Sequence, residues 1–98
     1  MMEECGKVDV LETALVCFGI EAQRLKCIEE MAELTKELCK DAFGKGDREH
    51  IAEEIADVKI MLAQMEKAYR VGVEVGEWQA KKIKRLAVML NIVKEGDE

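Results

Sequence analysis

Two pairs of acidic residues have the residue types and spacing of a metal site. Glu30 and Glu33 form one pair, and Glu54 and Asp57 form the other, each pair three residues apart in a segment of helical composition. Residues three apart project from the same side of a helix, so antiparallel packing would let the pairs face each other. Carboxylate oxygens suit Mg²⁺. Without a cation, four such carboxylates would repel one another and raise each other's pKa values.

Glu54 is the most informative of these acids, because it falls within the apolar side of its own helix. At 100° per residue, it lies between Met61 and Val58 on the helical wheel, and Asp57 lies just outside that arc. An ionised carboxylate that faces a core costs several kcal/mol unless it is paired or bound to a metal. The position therefore predicts either a metal ion or a buried salt bridge to a lysine.

The first acidic segment is less distinctive by itself. Charged residues make up 37% of the chain, so Glu29, Glu30 and Glu33 taken alone indicate a solvated helix face. Glu33 falls in the polar arc of its helix, near Lys26 and Glu37, whereas Glu30 lies nearer to Leu34 and the apolar boundary. The placement of Glu54 is what favours a metal site.

Length and charge limit the classes of function. The 98 residues predict a single domain, residues 1–98, with limited capacity to bury apolar surface alone, so an oligomer is plausible. The net charge of −6 argues against a nucleic-acid-binding surface. No apolar run approaches the roughly 18 residues of a membrane span, and the acidic start, Met1 to Glu4, does not resemble a signal peptide. We therefore expect a cytoplasmic protein without membrane or nucleic-acid partners.

The absence of proline and the abundance of Ala, Leu, Glu, Lys and Met predict an all-α fold. Glycine-containing breaks divide the chain into four predicted helices, at residues 9–18, 21–42, 48–70 and 77–93. Asp9 and Asp47 are predicted N-caps. The second and third helices should pack antiparallel, and the second has an apolar face wide enough to contact another subunit as well.

Cysteine spacing gives no support to a metal knuckle or a disulfide framework. The four cysteines are Cys5, Cys17, Cys27 and Cys39. The last three fall on predicted helices, where we interpret them as reduced thiols that act as small hydrophobic residues.

Three segments together resemble the MazG-like all-α nucleoside triphosphate pyrophosphohydrolases, in the compact single-domain form found in bacteria and phages. They are Phe18-Gly19-Ile20-Glu21-Ala22-Gln23, the E-E-x-x-E motif at residues 29–33, and the E-x-x-D motif at residues 54–57. A spacer of 20 residues separates Glu33 from Glu54, and the last helix contains Lys82-Ile83-Lys84-Arg85-Leu86, which is similar to a K-I-x-R-L sequence of the family.

This resemblance implies a four-helix bundle completed by dimerisation or tetramerisation. It also implies hydrolysis of a nucleoside triphosphate to the monophosphate and pyrophosphate, as part of nucleotide-pool housekeeping. Glu30, Glu33, Glu54 and Asp57 would then bind Mg²⁺, with Mn²⁺ as a possible substitute. Glu29 would act as an outer ligand or orient water.

Three further residues are candidates for substrate binding. Lys82 and Arg85 could contact phosphate, although Lys82 lies at the edge of an apolar face and could equally extend past it to solvent. Gln23 matches a glutamine frequent in the family and could lie near the nucleotide or be a plain surface amide.

Other functions compete with this interpretation. Phosphoribosyl-ATP pyrophosphohydrolase has similar acidic pairs, but its second motif usually continues with an aromatic residue and a histidine, whereas this chain has Val58-Lys59-Ile60-Met61. A relative restricted to dUTP or dCTP is a further enzymatic alternative. A non-catalytic helical interaction protein is the alternative outside enzymes.

Overall fold

The computed structural model describes residues 9–94 and residue 96, and these residues fold into four α-helices. The helices are α1 (Val10–Phe18), α2 (Ile20–Ala42), α3 (Arg48–Tyr69) and α4 (Gly72–Met89). The predicted all-α class is confirmed. None of the four helices is long and apolar enough to cross a membrane.

Both predicted N-caps are confirmed, and they fix where two helices begin. The backbone N–H of Glu12 donates to Asp9 Oδ1 over 3.1 Å at the start of α1, and that of Glu49 donates to Asp47 Oδ1 over 2.9 Å at the start of α3. Each bond satisfies a backbone donor that the helix itself leaves free. The short segment between Ala42 and Arg48 then returns the chain, so that α3 packs antiparallel against α2.

The hairpin of α2 and α3 is the main packing unit, and α1 packs on both of its helices. An ion pair also joins the start of α1 to the last turn of α3, because Lys67 Nζ donates to Asp9 Oδ2 over 2.7 Å. This ion pair lowers the pKa of the Asp9 carboxyl and raises the pKa of the Lys67 ammonium. The same carboxylate thus caps α1 and anchors it to α3.

The sequence predicts a wide apolar face on α2, but the face of α2 that packs against α3 contains several polar side chains. Its inward positions follow a four-three spacing and comprise Gln23, Cys27, Glu30, Leu34 and Glu37. The large apolar residues at other positions remain exposed, namely Leu25, Ile28, Met31 and Leu38. One stripe of α2 therefore meets α3, and a separate apolar stripe is not covered by the described residues.

The start of α4 differs from the prediction, because the glycines at positions 72 and 76 lie inside the helix rather than in a loop. The turn is made earlier, by Arg70, which ends α3 in the left-handed conformation (φ 57°). The backbone N–H of Val75 donates to the carbonyl of Val71 over 2.8 Å, so the helix is already formed at the predicted break. At the other end, Asn91 (φ 61°) stops the helix before the predicted residue 93, and asparagine tolerates this conformation better than most residues.

Within the described part of the chain, α4 contacts α3 but neither α1 nor α2. The radius of gyration is 17.8 Å, against about 13 Å for a compact domain of this length. The buried apolar residues are limited to Cys27, Val58 and Met61 among the described positions. The four helices therefore do not close into a compact bundle within one chain, and α4 extends from a three-helix unit.

Candidate metal centre

Three of the predicted ligands lie together in the hairpin. Glu30 of α2 and Glu54 and Asp57 of α3 each offer a carboxylate oxygen, and these oxygens lie within 4.8 Å of one another. All three side chains are half-buried. The antiparallel register produces this group, because it places one acid of α2 opposite two acids on adjacent turns of α3. We refer to Glu30, Glu54 and Asp57 as the acidic triad.

Glu54 lies on the packed side of α3, as its position on the helical wheel predicts. Its Oε1 atom is shielded from solvent and accepts no hydrogen bond. Burial raises the pKa of the Glu54 carboxyl, and the neighbouring charges of Asp57, Glu30, Glu33 and Glu53 raise it further. No lysine of the described residues forms an ion pair with it, so the salt-bridge alternative is not realised in that part of the chain.

Glu30 has a different environment, because a lysine contacts it from the preceding turn. Lys26 Nζ lies 3.1 Å from Glu30 Oε2 and 3.2 Å from Glu29 Oε1. The hydrogen bonds that Lys26 donates to Glu30 and Glu29 raise the pKa of its ammonium group, so it stays charged. One edge of the triad therefore carries a positive charge, whereas the Glu54 side does not.

Two other predicted acids stand outside the triad. Glu33 is exposed, and although its charge contributes to the raised pKa of Glu54, it does not belong to the group of three. Glu29 is exposed and is paired with Lys26. The structure thus brings together three of the four predicted metal ligands.

The predicted substrate-binding residues are spread over two regions. Gln23 is buried on the α2 face that meets α3, seven residues before Glu30, which is about 10 Å along a helix. Lys82 and Arg85 lie exposed on α4, which does not contact α2. Lys82 Nζ instead lies 5.8 Å from the centre of the Trp78 ring.

Three polar residues at or near this site were not identified from the sequence. Lys26 was assigned to the polar arc of its helix, and Glu37 was grouped with it, yet Glu37 is buried and its Oε1 accepts no hydrogen bond. Gln64 is also buried with an unpartnered Oε1. The available signal for Gln64 was its position seven residues after Asp57, on the same side of α3.

The remaining reactive side chains do not join the triad. His50 Nδ1 lies 3.6 Å from Asp47 Oδ2 at the start of α3. Cys27 is buried, and burial raises the pKa of its thiol, whereas Cys17 and Cys39 are exposed in this chain. Cys5 lies outside the described residues.

The donor set fits a hard divalent cation. It consists of carboxylate oxygens alone, which suits Mg²⁺ and gives no preference for a soft metal. The shielded and unpartnered Oε1 of Glu54 is the strongest sign of fit, because a buried acceptor without a partner is costly.

Comparisons of the chain with protein-family models, curated proteins and solved structures found no significant match. The family resemblance therefore depends on the sequence motifs, and the candidate site depends on its own geometry.

Proposed function

We propose that this protein is an Mg²⁺-dependent nucleoside triphosphate pyrophosphohydrolase that releases a nucleoside monophosphate and pyrophosphate. The observation that carries the proposal is the acidic triad, with carboxylate oxygens within 4.8 Å of one another and an unpartnered, shielded Glu54 Oε1. Such a cluster is unfavourable by itself and favourable around a cation. The order of the E-E-x-x-E and E-x-x-D motifs supports this activity over other uses of Mg²⁺.

Glu30, Glu54 and Asp57 would hold Mg²⁺, and Mn²⁺ could take its place. When bound, such an ion neutralises phosphate charge and lowers the pKa of the attacking water. A nucleoside triphosphate carries several negative charges, and the net charge of this protein is also negative. The acidic triad therefore suits this substrate only together with a divalent cation.

The two acids outside the triad have roles next to it. Glu33 lies one helical turn after Glu30 and is exposed, so we assign it either to complete the ligand set or to accept the proton of the attacking water. Glu29 is exposed and already shares Lys26 with Glu30. We assign Glu29 to the outer shell, where it positions Lys26 or orients water.

The active form would be a homodimer, or a tetramer built from it. Two apolar surfaces support this, the exposed stripe of α2 that includes Leu25 and Ile28, and the stripe of α4 that includes Trp78 and Leu86. Exposed apolar area of this extent typically marks an interface. A second copy that packs on the hairpin would complete the small core and close the bundle.

Dimerisation would also bring phosphate-binding cations to the site. Lys82 and Arg85 are on α4, which has no contact with the α2 helix of its own chain. The same residues of a second copy, docked along the exposed face of α2, can approach the triad. We therefore assign Lys82 and Arg85 to substrate binding across the interface. We assign Gln23 to a position near the nucleotide.

A helical interaction protein is the second candidate, and the exposed apolar stripes of α2 and α4 favour it. In that case the acids would be electrostatic only, and no Mg²⁺-dependent product would form.

The test is hydrolysis of a panel of canonical and modified nucleoside triphosphates, with phosphoribosyl-ATP included. Purified protein is incubated with Mg²⁺ or with EDTA, and monophosphate and pyrophosphate are measured by chromatography. We expect equal amounts of both products with Mg²⁺ and neither with EDTA. Release of orthophosphate instead, or no product from any substrate, would contradict the proposed function.

A further inference from the structure

Lys26 is placed where it competes with a cation for the acidic triad. Its Nζ atom lies 3.1 Å from Glu30 Oε2, and Glu30 is one of the three residues that could share a metal ion. The Lys26 side chain is 51% exposed, whereas that of Glu30 is 13% exposed. The ammonium group thus reaches a largely buried carboxylate from the solvent side.

A divalent cation and this ammonium cannot use Glu30 without opposing each other. Both are positive, and both need the lone pairs of the same carboxylate. The lysine is the weaker competitor, because a half-exposed ion pair contributes little stability and its four-carbon stem is flexible. Cation binding at the triad should therefore release Lys26 from Glu30.

The released ammonium would lie beside the phosphate chain of the substrate. It is attached one helical turn from a metal ligand, and metal-bound phosphates occupy the immediate surroundings of such a ligand. Lysine binds phosphate as a point charge, so the change of partner needs no special geometry.

We propose that Lys26 is an exchangeable counter-ion, which neutralises Glu30 in the metal-free protein and binds a substrate phosphate once a divalent cation occupies the triad. This inference rests on the proposed function and adds a residue that the family motifs do not include. Lys26 contacts the substrate in only one of its two positions.

The first measurement is Mg²⁺ affinity without nucleotide, by isothermal titration calorimetry. We expect Lys26→Gln to bind Mg²⁺ about fivefold more tightly than the wild type, because the competing charge is removed. Lys40→Gln is the matched control, since Lys40 pairs with Glu37 on the same helix at 3.3 Å but lies ten residues after Glu30, which is nearly three helical turns. Its Mg²⁺ affinity should stay within about twofold of the wild type.

The second measurement is binding of inorganic triphosphate at saturating Mg²⁺. Here Lys26→Gln should bind about tenfold more weakly than the wild type, because a charge-assisted contact is lost. Lys26→Arg retains the charge and should stay near the wild type in both measurements. Opposite effects of one substitution on metal and on phosphate are not expected of a merely structural salt bridge.

The outcomes separate this inference from the proposed function. If the wild type binds Mg²⁺ and Lys26→Gln binds it with the same affinity, the exchange is overturned and the proposed function still stands. Tighter Mg²⁺ binding with unchanged triphosphate binding would overturn it as well, because the second partner would be missing. A wild-type protein that binds no Mg²⁺ would overturn both. Circular dichroism of each variant verifies that the helices are retained.

Discussion

The α2–α3 hairpin buries polar side chains, whereas α4 exposes apolar ones. Gln23, Glu37 and Gln64 are buried in the hairpin. On α4, Trp78 is 55% exposed and Leu86 is 52% exposed. A self-sufficient globular domain shows the reverse distribution. Under the proposed function, the hairpin would bind a cation and substrate, and α4 would pack against a second copy of the protein.

The two regions also carry opposite charges. The hairpin presents the acidic triad, and α4 carries Lys82 and Arg85 without contacting α2. If the proposed function is correct, damage to the hairpin should abolish chemistry, and damage to α4 should weaken assembly and substrate binding. The following substitutions test that division.

Glu54→Gln should have the largest effect. Changes in residues that merely support a metal ligand cost about 10–100-fold, so loss of the ligand itself should lower kcat/KM at least about 100-fold. Glu53→Gln is the matched control, because it removes an exposed glutamate at the adjacent position. We expect the control to stay within about twofold of the wild type. Steady-state hydrolysis with Mg²⁺ gives both values, and normal turnover by Glu54→Gln would remove it from the site.

Leu86→Asp should break the assembly rather than the chemistry of the hairpin. A charge in the centre of the α4 stripe should weaken self-association at least about 30-fold, as expected for an interface hot spot. Val73→Asp is the control, because Val73 is also exposed but lies on the opposite side of α4. Sedimentation velocity over a range of concentrations distinguishes them. Equal oligomer populations in the two variants would show that the α4 stripe is not the interface.

Lys82→Ala should raise KM about tenfold with the fold intact, because one charged contact to phosphate is lost. If Lys82 acts on the partner's triad, mixing this variant with Glu54→Gln after reversible dissociation should produce a fraction of sites with the wild-type KM, which neither variant shows alone. A mixed dimer contains one site with both wild-type residues. No gain on mixing would place Lys82 in the site of its own chain, and an unchanged KM would return it to a solvent-exposed role.

The parts of the molecule that follow local rules could be predicted from the sequence. Asp9 and Asp47 were identified as N-caps because the capping position has a side-chain preference that depends on neighbouring backbone groups only. The inward placement of Glu54 followed from helical periodicity. The pairing of Glu30 with α3 also followed, because a short connection leaves two helices little choice but antiparallel packing.

The parts that depend on tertiary arrangement could not be predicted. The predicted start of α4 was wrong. Arg70 makes the turn in the left-handed conformation, and Gly72 and Gly76, although glycine usually disfavours helices, lie within the helix. Glu37 was assigned to a polar arc, but the rotation of α2 against α3 buries it. The Lys26–Glu30 ion pair, by contrast, has the local i,i+4 spacing of a helix, so the sequence did contain a signal for it.

The smallest expected effect is a change in melting temperature, which reports on the charge of Glu54 independently of hydrolysis. Because the pKa of Glu54 is raised in the folded protein, the folded state binds its proton more tightly than the unfolded chain does. The free energy of unfolding therefore falls as pH rises from the ordinary glutamate pKa through the folded pKa, and the cost is complete above that value. In EDTA at pH 7.5, Glu54→Gln should melt a few degrees above the wild type. This advantage should shrink as pH falls through the folded pKa, whereas Glu53→Gln should show no such trend.

Mg²⁺ should reverse the order of the two melting temperatures at pH 7.5, since it stabilises the protein that binds it. Differential scanning calorimetry at a fixed protein concentration gives the melting temperatures of the wild type and of both variants. A lower melting temperature for Glu54→Gln than for the wild type in EDTA would mean that the charge of Glu54 is already compensated without a cation.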